Sequence, residues 1–211
     1  MSRVVVTMNV TLDGVMQAPA RADEDIRGGF AHGGWALPYD DAIKAEAMGH
    51  GMARTGAMLF GRRTYEDFYR VWPHRTDGNP FTGYLNGVQK YVASRTLTEP
   101  LPWQNSVLLK GDAADAVAAL KEQDGPDLAV IGSGELAQSL ARRGLVDEYV
   151  LLIHPLVVGP GRRLFSEATL AARRRLVSSV TTGAGVIIAT YQPQPGGGQT
   201  REDTGHDAVR A

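Results

Sequence analysis

Short β-branched runs alternate with longer helical stretches along most of this 211-residue chain, and few architectures accommodate that alternation. Strands are expected at Arg3–Val10, Ala57–Phe60, Lys90–Ala93, Ser106–Leu109, Leu128–Ile131, Tyr149–Pro155 and Gly185–Gln192. Helices are expected at Asp40–Arg54, Thr64–Val71, Ala113–Gln123 and Gly134–Arg143, the third with Asp112 as its N-cap. Several strand runs, such as Val4-Val5-Val6, are apolar at odd and even positions alike, as strands covered on both faces must be. The pattern predicts a layered α/β domain with a largely parallel sheet. The last two runs follow each other without a clear helix between them, which predicts an antiparallel edge.

Composition narrows the function classes. Apolar residues make up 43% and charged residues 21%, the balance of a chain that buries a core. The 22 Lys and Arg against 23 Asp and Glu lack the basic excess of a dedicated nucleic-acid binder. Cysteine is absent, which removes thiolate nucleophiles, disulfides and sulfur-ligated metal sites. The five histidines have no metal-ligand spacing, so no metal is expected and structural or solvated roles are assigned to them, His154 included. The longest apolar runs, Tyr149–Ile153 and Val186–Thr190, fall far short of the roughly 18 residues of a membrane span. With no signal-peptide pattern after Met-Ser-Arg, a cytoplasmic protein without a membrane partner is expected. Residues 1–193 read as one domain. Residues 194–211 (Gln-Pro-Gly-Gly-Gly onward) read as a tail that cannot bury a core.

Three places could carry chemistry. In Val130-Ile131-Gly132-Ser133-Gly134-Glu135-Leu136-Ala137 a strand turns through glycines into a helix, whose unpaired first-turn N–H groups favour an anion. A bland left-handed turn explains the same letters. A second crossing, Leu59-Phe60-Gly61-Arg62-Arg63-Thr64-Tyr65-Glu66, places Thr64 to cap the helix and Arg62 and Arg63 where their guanidinium forks meet a phosphate. Two such crossings in one small domain point to a ligand with two phosphate-bearing halves. The third place is Asn9-Val10-Thr11-Leu12-Asp13-Gly14, at a strand end before the long segment Gln17–Leu37, which is predicted to be functional or mobile. Asp13 closes the turn there or stands where open α/β sheets keep their ligands. Arg173-Arg174-Arg175 reads as a solvated face, and Tyr69, Trp72 and Trp103 as core fillers, with Trp35 placed to close over a ring.

In register, Thr11-Leu12-Asp13-Gly14, Gly61-Arg62-Arg63-Thr64-Tyr65-Glu66 and Ile131-Gly132-Ser133-Gly134-Glu135-Leu136 resemble the dihydrofolate reductase-like superfamily. Gly144-Leu145-Val146-Asp147-Glu148, Pro155–Gly161 and Leu164-Phe165 are similar to its branch typified by the C-terminal reductase domain of the riboflavin-biosynthesis protein. The resemblance spans about residues 3 to 192. It implies an αβα sandwich around a mixed, mostly parallel sheet, NADPH as cofactor, a homodimer, and hydride transfer to a small nitrogen heterocycle or related C=N or C=O group. It places Gly61, Arg62, Arg63 and Thr64 on the pyrophosphate and the 2′-phosphate, and Ser94 and Arg95 on the adenosine side. Gly132, Ser133 and Gly134, with Glu135 and Leu136 behind them, would take the remaining pyrophosphate oxygens. Met8 and Asn9 would lie by the nicotinamide, with Met16 on the loop beside it.

Leu37-Pro38-Tyr39-Asp40-Asp41 resembles the stretch where a dihydrofolate reductase places its buried carboxylate. Asp40 reads as the N-cap, so Asp41 is expected to face the pocket with a raised pKa. The chain departs from the riboflavin enzyme in lacking the Cys ligands of its deaminase domain, and from folate reductases in a longer, glycine-richer segment after Leu12. Two other readings stay open: a nucleotide-binding module without turnover, and a Rossmann-type NAD dehydrogenase resting on Gly132 and Gly134 alone.

Overall fold

The computed structural model describes residues 1–165 and 172–194; the expected tail lies outside the described residues except for its first member, Gln194. Eight strands form one sheet: β1 (Val4–Thr11), β2 (Thr55–Gly61), β3 (Gln89–Ala93), β4 (Ser106–Leu109), β5 (Asp127–Ile131), β6 (Glu148–His154), β7 (Arg174–Thr181) and β8 (Ile187–Pro193). Among the described residues five α-helices accompany them: α1 (Ala42–Arg54), α2 (Arg62–Val71), α3 (Pro80–Gly87), α4 (Ala113–Glu122) and α5 (Gly134–Arg142). The strand order is β4-β3-β2-β5-β1-β6-β8-β7. The pairs from β4 to β6 are parallel, and β8 returns antiparallel to β6 and to β7. The mixed sheet and its antiparallel edge match the expectation.

Alternation along the strands divides the core. Val4, Val6, Met8 and Val10 of β1, with Leu59, Leu128 and Val130, pack against Ala114 and Val117 of α4 and Leu136, Ala137 and Leu140 of α5. On the opposite face Met58, Phe60, Val92 and Ala129 meet Tyr65 of α2, Leu85 of α3 and Trp103. Farther along that face Leu152 and Ile188 lie against Tyr39 and α1 through Ala47 and Met48. The result is helix, sheet, helix. One consequence governs the site: β2 and β5 are neighbours, yet the helices that follow them leave toward opposite faces. A crevice must open between such strand ends, the place where open α/β sheets bind ligands.

Two elements escape the sequence pattern. Pro80–Gly87 forms α3, capped by Asn79, whose side chain accepts from Phe81 N–H; its two glycines hide the helical signal. Arg174 and Arg175 open β7, which is exposed along nearly its whole length, rather than a solvated run before the last strand. Gln17–Leu37 is laced rather than loose. The Gln17 amide donates to the carbonyls of Asp25 and Arg27, Trp35 Nε1 donates to Gln17 O, and Phe30 and Trp35 bury with Val15 and Ala18. Among the described residues no helix is long and apolar enough to cross a membrane.

At the amino-terminal edge of the sheet Glu148 is 3% exposed and accepts hydrogen bonds from Arg3 (2.6 Å), Arg54 (3.0 Å) and Gln192 (3.0 Å), tying β1, α1 and β8 to β6. Burial opposes its charge, but the Gln192, Arg3 and Arg54 hydrogen bonds outweigh it and hold the carboxyl below its ordinary value. Glu148→Gln is expected to lower stability at pH 7 by about 1–3 kcal/mol, both arginines being partly solvated. A depressed carboxylate stabilises above its unfolded pKa and loses that contribution as pH falls through its folded value. The gap between variant and wild type in urea melts therefore narrows toward pH 3.

Candidate functional site

The two glycine crossings are one structure. Gly61 N–H donates to Ser133 Oγ at 2.9 Å, and Ser133 N–H donates to Thr64 Oγ1 at 3.0 Å. Gly132 sits at φ +64°, and a Cβ there would press on Thr64 Cγ2 at 3.3 Å, so the turn requires glycine twice over. Thr64, expected as a helix cap, is instead the third residue of α2, and its hydroxyl bridges to the other corner. Gly61 and Ser133 hold the N-cap positions of α2 and α5, and neither makes a side-chain cap hydrogen bond. Two uncapped helix starts with their positive dipole ends thus share one edge. Arg62 pairs with Glu66 at 3.0 Å, and Arg63 is exposed. Ala93 pairs with Gly61 across β3 and β2, so Ser94 and Arg95 stand just beyond on the same edge. Ser94 Oγ is engaged by Thr96 N–H and Leu97 N–H, and Arg95 is exposed.

On the α5 side the side chains divide. Met16 lies over Gly134 so closely that a Cβ there would fall 1.9 Å from Met16 Cε. Glu135 points outward, paired with Arg162 and 3.5 Å from Arg27. Leu136 turns into the core, leaving only its backbone for a ligand. Met8 does likewise, buried at 3% exposure on the α5 face, whereas Asn9 emerges on the other face.

Asn9 borders a shallow, open cleft together with Pro19, Ala20, Ala36, Leu37, Asp40 and Lys44. Lys44 Nζ donates to Asp40 at 2.7 Å. Behind Asn9, fully buried His154 places Nε2 2.9 Å from Asn9 Oδ1. The edges of its ring meet Trp35 and Tyr39 with centroids at 5.1 and 5.3 Å.

The profile of the RibD C-terminal domain matches residues 2–188. The chain belongs to that family. Uncharacterized protein YyaP of Bacillus subtilis is 25% identical over 192 residues, covering 90% of this chain and 94% of that protein. Uncharacterized protein YwjB of the same organism is 30% identical over 145 residues, 61% of this chain and 78% of the relative. Among solved structures, a Shewanella sp. PV-4 protein described as a riboflavin biosynthesis protein superposes with a TM-score of 0.70 at 22% identity, over 91% of this chain and 99% of its own. A pyrimidine reductase-like protein from Corynebacterium diphtheriae gives 0.59 at 11% identity, over 92% of each chain. Both likenesses concern the fold, which is dihydrofolate reductase-like.

Within this RibD C-terminal domain the acidic residues take other places than expected. Asp41, not Asp40, caps α1: its Oδ1 accepts from Lys44 N–H at 2.8 Å and its Oδ2 from Ala184 N–H at 3.2 Å. The Lys44 N–H bond comes first in holding its carboxyl below the ordinary value, the reverse of the raised pKa expected. The cause is a shift of one residue. Leu37–Tyr39 closes its own tight turn, Asp40 ends that turn, and Asp41 is the extended residue before the helix. Asp40 therefore lines the cleft. Asp13 accepts from Thr11 Oγ1 at 2.5 Å, Gly159 N–H at 2.9 Å and Val158 N–H at 3.2 Å. The Thr11 bond first, then these amides, outweigh burial and bring its pKa down to about 2, which makes it an anchor between loops and no proton donor. The Rossmann alternative lapses as well, because the Gly132 turn follows the fifth strand and leans on the Gly61 corner.

His154 and Lys44 are site residues that the sequence does not mark: His154 ends β6 two positions past Leu152, and only the pairing of β6 with β1 brings it to Asn9. Among the described residues no three His, Asp or Glu gather to hold a metal. Burial first, then the Lys44 charge, lower the His154 pKa to about 4, with Asp40 opposing. A histidine held neutral in the fold stabilises fully above its unfolded pKa of roughly 6.5 and loses that contribution as pH falls toward its folded value. Thermal melts between pH 7 and pH 4 should show a decline of about 2–3 kcal/mol attributable to this ring. That decline should be absent from His154→Gln, whose remaining slope belongs to carboxylates such as Asp13 and Glu148.

Proposed function

We propose that this chain is an NADPH-dependent reductase that delivers hydride to a C=N or C=O group of a small nitrogen heterocycle. The observation that carries the reading is the contact between the two uncapped helix starts at Gly61 and Ser133, flanked by Arg62 and Arg63. Backbone amides at two adjoining helix ends, with two guanidinium groups beside them, fit a dinucleotide bearing a pyrophosphate and one further phosphate. Membership of the RibD C-terminal family supports a reductase, and the pyrimidine reductase-like neighbour supports a heterocyclic substrate.

In this reading NADPH supplies the hydride from its nicotinamide ring. Gly61, Arg62, Arg63 and Thr64 hold the pyrophosphate and 2′-phosphate, and Ser94 and Arg95 border the adenosine. The Gly132–Gly134 turn, with the backbone at Glu135 and Leu136, takes the remaining phosphate oxygens. The half-buried Met16 side chain swings off Gly134 to admit them, a movement of a flexible thioether rather than of backbone. Asn9 lies at the reacting end, where Asp40 and Lys44 offer an acceptor and a cation to a ring. The chain's contribution is chiefly to position the two reactants and exclude water.

Titration calorimetry tests the cradle: Arg62→Ala should weaken NADPH by about 1.5–3 kcal/mol and NADH much less. Equal losses for the two would count against the reading. NADPH oxidation against a panel of heterocycles bearing C=N or C=O then separates an enzyme from a nucleotide-binding module, which would bind without turnover.

We further propose that the chain pairs with a second copy through β7. Among the described residues this edge strand exposes Leu176 (49%), Val177 (43%) and Val180 (44%), an apolar edge of the kind that proteins normally cover. Light scattering should report a dimer for the wild type and a monomer for Leu176→Glu/Val180→Glu; a monomeric wild type would refute the pairing.

A further inference from the structure

We propose that His154 is a positioning residue: it fixes the Asn9 carboxamide so that the NH2 group, not the carbonyl, faces the Asp40–Lys44 cleft as a donor to a carbonyl oxygen on the bound ring. The inference rests on the reductase reading for the identity of that ring, though the orientation itself follows from the polar groups around His154.

The Nε2 and Oδ1 atoms stand 2.9 Å apart, so one of two arrangements holds. Either His154 Nε2–H donates to Asn9 Oδ1, or the amide turns over and its NH2 donates to a bare Nε2. The second nitrogen decides between them. Nδ1 is buried and has no hydrogen-bond partner among the described residues. If Nε2 accepted, the proton would sit on Nδ1 as a buried N–H with no acceptor; if Nε2 donates, Nδ1 is only a bare lone pair. Orphaned buried N–H groups are rarer than under-satisfied acceptors. The Nε2–H tautomer is therefore selected, and with it the amide orientation.

Two aromatic neighbours hold the ring. Trp35 and Tyr39 meet it at 87° and 80°, and Trp35 is itself pinned by its Nε1–H to Gln17 O at 2.7 Å. With Oδ1 held, the Asn9 NH2 has no acceptor among the described residues, and Asn9 itself borders the cleft. A planar amide locked by a buried, neutral ring is a preorganised donor, whereas a free one samples both faces.

Long-range ¹H–¹⁵N spectra of the full wild-type chain at pH 7 report the tautomer directly. Nε2–H is expected, and Nδ1–H would overturn the proposal without reference to any activity. In the same spectra the Asn9 NH2 chemical shifts should stay close to wild type in His154→Gln, whose amide can donate in place of Nε2–H. His154→Phe, which keeps a ring but not the donor, should shift them and add NOE contacts from the turned-over amide; unchanged Asn9 shifts and contacts there would also overturn it. For turnover, NADPH oxidation with the panel heterocycle that reacts best should drop about tenfold in kcat/KM for His154→Phe at an unchanged NADPH Kd. His154→Gln should recover it to within about threefold, and His154→Phe should cost nothing more on an Asn9→Ala background. Additive losses would mark a merely structural role. If NADPH neither binds nor is consumed by the wild type, the reductase reading fails, while the spectra still decide the orientation of Asn9.

Discussion

Two hydrogen bonds at one sheet edge decide what this molecule can be. β2 and β5 lie side by side, but α2 and α5 leave them toward opposite faces, so the chain ends would splay unless something joined them. Ser133 Oγ receives Gly61 N–H and Thr64 Oγ1 receives Ser133 N–H, each corner supplying the acceptor that the other's backbone lacks. Because side-chain oxygens cross between corners, none is left to cap its own helix. The arrangement that closes the edge is also what leaves the first-turn amides of both helices available.

A second set of contacts holds the loops that frame this edge. Asp13 binds the amides of Val158 and Gly159, Gln17 Oε1 accepts from Arg162 N–H at 3.0 Å, and Met16 N–H donates to Arg162 O at 2.8 Å. Gly161, at φ +144°, admits this approach: a Cβ there would lie 2.7 Å from Val15 and 2.9 Å from Phe30. The segment after β1 and the segment after β6 thus behave as one strap. It delivers Met16 over Gly134 on one side and Trp35 against His154 on the other.

How much of this could be read from the letters follows from how local each feature is. The glycine crossings were legible because turn and helix start lie within a few residues, and the sheet class because buried strands are apolar at both parities. The swap of Asp40 and Asp41 shows the limit of that method, since a single residue of slippage at a helix start exchanges a cap for a cleft residue. His154 was beyond it altogether. Its significance comes from Asn9, 145 positions away, brought to it only by the pairing of β1 with β6. Strand β7 was hidden for a different reason: an edge strand exposed on both faces has no buried period to betray it.

The alternation of side chains along β1 joins the two halves of the site. Met8 enters the core beneath α5, the helix that starts at the glycine turn, while Asn9, one residue on, reaches the opposite face beside α1. A ligand seated on the α2–α5 edge and a ring seated in the Asp40–Lys44 cleft would therefore meet at the end of this strand. Strand β1 is flanked by β5 and β6, both parallel to it, and cannot slip without turning Met8 out and Asn9 in. Its register is the ruler for the whole site. The Glu148 cluster, at the opposite end of the same strands from Asn9, helps to hold that register through Arg3.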